Sequence, residues 1–328
     1  MSIDRKQTSE QLLVSSETLR EVREEIAKRL IGQSGLVEGM LTALLAGGHV
    51  LVEGVPGLAK TLAVKTLAEV LDVQYHRIQF TPDLLPADVV GTLVYRAETG
   101  EFTVRRGPVF TNVVLGDEIN RAPAKVQSAL LEAMQERQVT IGEETHVLDD
   151  PFLVLATQNP IEHEGTYPLP EAQLDRFMMK ITVGYPSDEE ELAIVKRIGV
   201  ERDIPVRPVV SVERLAAMQE AAASVTVDER IERYIVQLVQ TTRSRDRNRY
   251  SFVRFIEYGA SPRASIYLLR CAKVLALFAG RNYLLPDDVK AVAHPVLRHR
   301  LVLSYEAESE ELSADRVVST ILESVPVP

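Results

Sequence analysis

The stretch Val50-Leu51-Val52-Glu53-Gly54-Val55-Pro56-Gly57-Leu58-Ala59-Lys60-Thr61-Leu62 decides the fold of this chain. Its three opening apolar residues read as a short strand buried on both faces. Gly54 to Thr61 then fits the phosphate-binding pattern G-x-x-x-x-G-K-[ST], with Ala59 where the pattern has its last glycine. Such a loop works by letting backbone N–H groups curl around phosphate oxygens, and the helix that follows, read as Thr61 to Leu71, adds its positive dipole end. Lys60 contributes a mobile cation and Thr61 a hydroxyl ligand for Mg²⁺. Gly54, Val55, Pro56, Gly57, Leu58, Ala59, Lys60, Thr61 and Leu62 are the candidate nucleotide contacts. A Cβ at Ala59 restricts the backbone where glycine would be free, so the loop is a departure from the pattern.

Short apolar runs alternate with helical periods on either side of this loop. Tyr75 to Phe80, Val113 to Leu115, Phe152 to Ala156 and Met178 to Val183 are four more strand candidates, and Ala124 to Arg137 is the clearest helix between them. Five brief buried strands with helical crossovers predict a five-stranded parallel α/β sheet. After Tyr185-Pro186 the strand signal stops. Asp188 to Ile198, Val212 to Ala223, Asp228 to Arg243, Pro262 to Phe278 and Pro286 to His294 predict helices and no strand. The expected organisation is therefore a flexible tail over residues 1–16, an α/β nucleotide-binding core over 17–185, and a helical lid over 186–328.

The strand Asn112 to Gly116 ends in Asp117-Glu118. At a strand's C-terminal edge, Asp117 suits Mg²⁺, usually through water, and Glu118 suits activation of an attacking water. Asn159 follows the Phe152 strand at the same edge, where its amide either holds the lytic water or γ-phosphate or merely forms a turn before Pro160. Arg176 closes a short helix read over Pro170 to Arg176, as a site cation or as dipole compensation. Arg263 sits in the first turn of a helix capped by Ser261, a position where a cation opposes the helix dipole and a nearby triphosphate would compensate.

The 328 residues carry 37 Lys and Arg against 47 Asp and Glu, a net charge of −10, which opposes non-specific nucleic-acid binding. A lone cysteine, Cys271, permits no internal disulfide and reads as a core residue in an apolar helix. The N-terminal stretch Met1 to Ser16 is polar and charged with no apolar signal-peptide core, and no apolar run is long enough for a membrane span. The six histidines show no metal-ligand spacing. Arg243, Arg245, Arg247 and Arg249 cluster around Asp246, where they either meet phosphate, acidic clients or nucleic acid, or form a solvated loop.

Taken together, Lys60-Thr61, Asp117-Glu118-Ile119-Asn120-Arg121-Ala122-Pro123, Asn159, Leu169 to Phe177 and Gly259 to Ala264 resemble the MoxR-like branch of the AAA+ ATPases. The likeness extends from about Glu17 to the final helices, and Gly116 departs from the bulkier residue expected before the Asp. It implies that Lys60 and Thr61 bind phosphates and Mg²⁺, Asp117 positions Mg²⁺, Glu118 activates water, and Asn159 senses the γ-phosphate. Arg176 would be an arginine finger reaching a neighbouring subunit, Arg263 the second sensor, and Ile31-Gly32-Gln33 the adenine contact. Arg121 is either another inter-subunit arginine or a surface charge. Leu93 to Arg96 with Phe102 to Arg105, and Gln138 to Leu148, look like the hairpin insertions of that branch, facing a pore and client or simply solvent. The implied function is Mg²⁺-dependent ATP hydrolysis by a cytoplasmic homo-oligomeric ring, a hexamer, that remodels client proteins. Clients would include complexes with a von Willebrand A domain or enzymes awaiting metal-cofactor insertion, with no membrane insertion and no nucleic-acid partner. Two other functions stay open: a DNA-stimulated motor or chelatase-type ATPase subunit, and a nucleotide-sensing scaffold with little turnover.

Overall fold

A computed structural model describes residues 2–160, 165–198, 204–246 and 248–328, with side chains from Leu12 onward. It divides into two compact units, Glu21–Phe177 with Ile181–Leu215, and Met1–Arg20 with Met178–Lys180 and Ala216–Pro328. The sheet unit thus runs past the border expected near residue 185. The chain beyond it folds back through hydrogen bonds that include Arg29 Nε to the Ile204 carbonyl (2.9 Å), Arg207 N–H to Glu25 (3.0 Å) and Val209 N–H to the Val70 carbonyl (2.8 Å).

The chain opens with α1 (Ser2–Ala27), where a flexible tail over residues 1–16 was expected. The reason lies in its stripe: Leu12 extends the Leu19, Val22 and Ile26 face by two turns and is as buried as they are. Then follow α2 (Ser34–Leu45), β1 (Val50–Glu53), α3 (Lys60–Val70), β2 (Tyr75–Gln79) and α4 (Pro86–Val90). Next come β3 (Gly91–Arg96), β4 (Glu101–Arg106), β5 (Val113–Asp117) and α5 (Ala124–Glu136). The unit continues through β6 (Gln138–Ile141), β7 (Glu144–Val147), β8 (Leu153–Gln158), α6 (Glu171–Leu174), β9 (Met179–Thr182) and α7 (Asp188–Ile198).

The main sheet has the order β2-β5-β8-β1-β9, with all five expected strands in it. β1 lies parallel to β8, β8 to β5 and β5 to β2, in registers that pair Val52 with Thr157 and Gln79 with Asp117. These pairings bring the C-terminal ends of four strands to one edge, where ligands of open α/β sheets bind. One face of the sheet is sealed by a core that includes Phe80, Ile119, Leu130 and Phe177. Gly116 has its reason here. A Cβ on it would lie 3.1 Å from the Phe80 ring, so Phe80 already occupies the space a bulkier residue would take.

Two antiparallel hairpins leave the sheet. β3 pairs with β4 so that Tyr95 faces Phe102, with ring centroids 5.2 Å apart, and β6 pairs with β7. The base of the first hairpin is tight. A Cβ on Gly107 would collide with the Val89 carbonyl oxygen, a backbone atom that cannot rotate away. Gly107→Ala is expected to cost about 3 kcal/mol, the upper end of overpacking, and to appear as a lower denaturation midpoint. An unchanged midpoint would mean that the hairpin base yields freely.

The second unit contains α8 (Val212–Ala223), shared at its start with the first, α9 (Glu229–Thr241), β10 (Ile256–Tyr258), α10 (Pro262–Phe278) and α11 (Pro286–Leu297). It ends with β11 (Val302–Leu303), α12 (Tyr305–Ser309) and α13 (Ala314–Ser324). The expectation of a purely helical lid is corrected by β10 and β11, which form a short antiparallel ribbon pairing Ile256 with Leu303. Only three and two residues long, they carry too little period-two pattern to read as strands. Arg243 and Arg245 are exposed, as the solvated-loop reading expects, but they are also anchored. They donate to the Ala260 and Glu257 carbonyls at 2.6 and 3.3 Å and brace the segment leading into α10, while Arg247 lies outside the described residues. Cys271 is buried in α10, where loss of hydration pushes its thiol up to about 12. Among the described residues no helix is long and apolar enough to cross a membrane.

Candidate nucleotide site

β1 runs into the Gly54–Ala59 loop, and the loop into α3, as the sequence requires. Gly54 is pressed against the β9 exit, where a Cβ on it would come within 2.7 Å of the Val183 carbonyl oxygen. Gly57 takes φ +87°, open to glycine and costly to other residues. Ala59 also takes a left-handed conformation, φ +56° and ψ +20°, so the loop keeps the turn its pattern demands and Ala59 bears the strain. Ala59→Gly is expected to stabilise the protein by about 0.5–1 kcal/mol, since left-handed strain exceeds the extra freedom glycine has when unfolded. A denaturant midpoint that falls would show that the alanine methyl packs usefully.

The loop forms one wall of a cavity of about 470 Å³, a size suited to a small-molecule ligand. Pro56, Gly57, Leu58, Ala59, Lys60, Thr61 and Leu62 line it, together with Asp117, Glu118 and Asn159. These are ten of the expected site residues, drawn from three separate stretches of chain. The Lys60 ammonium donates to the Gly54 carbonyl at 2.7 Å. Burial lowers its pKa below the ordinary lysine range, and Asp117 and Glu118 act in the opposite direction by favouring the cation.

Three further residues of the cavity were not singled out from sequence: Arg77, Gln79 and Thr157. The Thr157 hydroxyl donates to Asp117 Oδ1 at 2.7 Å and accepts the Glu118 N–H at 2.9 Å. Arg77 grips Asp117 Oδ2 through Nη2 (2.6 Å) and Nε (3.2 Å), and Gln79 Nε2 donates to Glu118 Oε2 at 3.1 Å. Both carboxylates are thus aimed by neighbouring strands, not only by their own. The signal was present as period two in β2: Arg77 and Gln79 share a face, and the parallel register sets Gln79 beside Asp117.

Glu118 itself has φ +57° and ψ +51°, a conformation a non-glycine residue holds only when its surroundings impose it. The turn that follows, Ile119–Arg121, is closed by Arg121 N–H on the Glu118 carbonyl (2.9 Å). Arg121 Nε lies 3.2 Å from Glu118 Oε2, so this arginine pairs with the carboxylate of its own chain.

Of the other expected residues, Ile31, Gly32, Gln33 and Arg176 are not among those that line this cavity, and Arg263 belongs to the other unit. Ile31-Gly32-Gln33 precedes α2, with Gly32 at φ +76° close beside the Glu190 carboxylate. Arg176 lies two residues beyond α6, which ends at Leu174 where the sequence suggested Arg176. Arg263 stands in the first turn of α10 in the other unit, its N–H on the Ser261 hydroxyl at 3.2 Å, so the expected cap is present. The donor set fits a hard divalent cation with a polyphosphate: a carboxylate in Asp117, a hydroxyl in Thr61, a lysine, and a glycine-bearing loop at a helix N-terminus.

Residues 49–179 match the ATPase family associated with various cellular activities (AAA), and residues 254–321 match an AAA lid domain. The sheet with its cavity and the helical unit after it are therefore an AAA core and lid. The chain is 50% identical to the chaperone MoxR1 of Mycobacterium tuberculosis over 98% of its own length and 85% of that protein. It is 46% identical to the uncharacterized protein YeaC of Bacillus subtilis, covering 93% of each. The crystal structure of a protein from Cytophaga hutchinsonii, assigned as an ATPase, superposes with a TM-score of 0.92 at 49% identity, covering 99% of both chains. The chain belongs to the MoxR family of AAA+ ATPases.

Proposed function

We propose that this protein hydrolyses ATP to ADP and phosphate, as a cytoplasmic ring of identical subunits, and uses the cycle to remodel client proteins. The observation that carries the reading is the convergence of Lys60, Thr61, Asp117, Glu118 and Asn159 on one cavity, with Glu118 in a strained conformation and braced by Gln79 and Arg121. A carboxylate so held is suited to take a proton from water as its oxygen attacks the γ-phosphorus and the bond to ADP breaks. Lys60 and the loop N–H groups hold the phosphates, and Asn159, only 7% exposed, orients the water or the γ-phosphate. Thr61 and Asp117 would hold Mg²⁺, which when bound neutralises phosphate charge.

Arg176 completes the site of the next subunit as a finger, Arg263 acts as the lid's sensor, and Ile31-Gly32-Gln33 receives adenine. The name chaperone attached to MoxR1 supports a remodelling role. A hexameric ring, and a client bearing a von Willebrand A domain or awaiting its metal cofactor, complete the proposal. Hydrolysis per subunit, measured across a protein dilution series, tests the composite site. Specific activity is expected to rise with concentration for the natural protein and to stay low throughout for Arg176→Ala. Activity that is flat across the assembly transition removes the finger. Tight ATP binding with no turnover at any concentration favours the scaffold.

A further inference from the structure

Gln127 in α5 is fully buried, yet it is a polar residue on a helix that otherwise seals an apolar core. Its Nε2 spans two chain segments, donating to the Tyr167 carbonyl at 2.9 Å and to the Ile119 carbonyl at 3.2 Å. Its Oε1 is buried with no hydrogen-bond partner among the described residues. An apolar side chain would avoid that penalty, so the amide is accounted for by its donors.

The two carbonyls belong to functionally different stretches. Ile119 follows the water-activating Glu118, and Tyr167 lies on the irregular strap Gly165–Pro170 that enters α6 and ends at Arg176. A second bond joins the same pair of segments, Tyr167 N–H to the Asn120 carbonyl at 2.6 Å. The Glu118 turn has independent supports in Thr157, Gln79 and its own closing bond, whereas the strap has no helix or strand ladder to set its course. Loss of the Gln127 donors therefore falls mainly on the strap.

We propose that Gln127 is a positioning residue for the arginine finger: it pins the strap that carries Arg176 to the catalytic turn, so that each subunit presents its finger to its neighbour in a fixed pose. The inference rests on the composite-site reading above. It assigns Gln127 an effect in trans, on the neighbour's site, through a residue that touches no nucleotide.

The experiment mixes full-length variants and measures ATP hydrolysis above the assembly concentration, with binding of a fluorescent ATP analogue alongside. Gln127→Met keeps the core volume and removes both donors. Alone it is expected to lose about tenfold or more in kcat with analogue affinity unchanged, the pattern of a lost transition-state contact. Mixed with Glu118→Gln, which has a dead site and an intact finger, it is expected to recover activity, because its own Glu118 now receives a well-placed arginine. Arg176→Ala mixed with Glu118→Gln is the reference for such rescue. Rescue by Arg176→Ala but not by Gln127→Met would overturn the proposal, since Gln127 would then act on its own site. No rescue by either variant would overturn the composite site, and the proposal with it. Full activity of Gln127→Met alone would also overturn it. If Gln127→Met does not fold, Tyr167→Pro serves instead: it removes the Tyr167 N–H donor at a half-exposed position outside the core. It should show the same rescue with a smaller loss, and its absence overturns the proposal.

Discussion

Glu118→Gln is expected to abolish steady-state hydrolysis while leaving nucleotide binding intact. The substitution keeps the side chain's size and leaves an oxygen for Gln79 and Arg121 to hold, at 3.1 and 3.2 Å from Oε2 in the natural protein. What it removes is the basic lone pair. An amide cannot take the proton of an attacking water, and loss of a positioned general base costs about 10²–10⁴ in rate. In the proposed reading binding rests elsewhere, on the Gly54–Thr61 loop, Lys60 and the α3 N-terminus, so affinity for an ATP analogue should barely move. Single-turnover quench assays with a parallel binding titration separate the two quantities. A variant that keeps more than about a tenth of the rate would place the base on another residue. A variant that no longer binds would mean that Glu118 shapes the loop.

The second large effect is on stability, and it depends on pH. His49, just before β1, is buried among α5, β8 and the Phe152 ring. Its Nε2 donates to the Met134 carbonyl at 3.0 Å and its Nδ1 accepts the Val154 N–H at 3.1 Å, a pairing that only the neutral ring can make. Burial first, and the nearby Arg137 cation second, push its pKa down to about 3 from an ordinary 6.5. Between those values the unfolded chain binds a proton that the folded one refuses. The stability this histidine contributes is therefore complete above pH 6.5 and is lost as pH falls from 6.5 towards 3, reaching a loss of about 5 kcal/mol. Many carboxylates titrate over the same window, so the comparison must be with His49→Gln. That variant should be less stable at pH 7.5 but should show a shallower decline down to pH 4 in denaturant midpoints. Parallel curves for the two proteins would refute a neutral buried ring.

Much of the site could be read from local patterns. The loop at Gly54–Thr61, the Asp117-Glu118 pair and Asn159 each follow a short apolar strand, and a strand buried on both faces is legible as an apolar run. Helices α8 to α11 were legible from their own periodicity, with Ser261 and Pro262 marking the start of α10, whereas α12 and α13 were not among the helices expected. The parts that escaped reading carry no local signature. Arg77 and Gln79 alternate on one strand, but their partners Asp117 and Glu118 come from another, and only the parallel register brings them together. Thr157 appeared as one polar residue at a strand end, and its two bonds to the Asp117-Glu118 turn depend on β8 lying beside β5. The β10–β11 ribbon is too short for alternation to register, and α1 reaches back through Leu12 because burial, not composition, orders that segment.

By itself, then, the sequence determined the class of fold, and it singled out the Gly54–Thr61 loop and the two carboxylates that line the cavity, because each depends on spacing along one stretch of chain. The tertiary structure decided how those groups are held. It put Ala59 and Glu118 into left-handed conformations, paired Arg121 with the Glu118 of its own chain, and ran Gln127 between the carbonyls of Ile119 and Tyr167. Hydrogen bonds between distant segments form only after the sheet order has been chosen, and the sheet order follows from burying all the apolar strands at once.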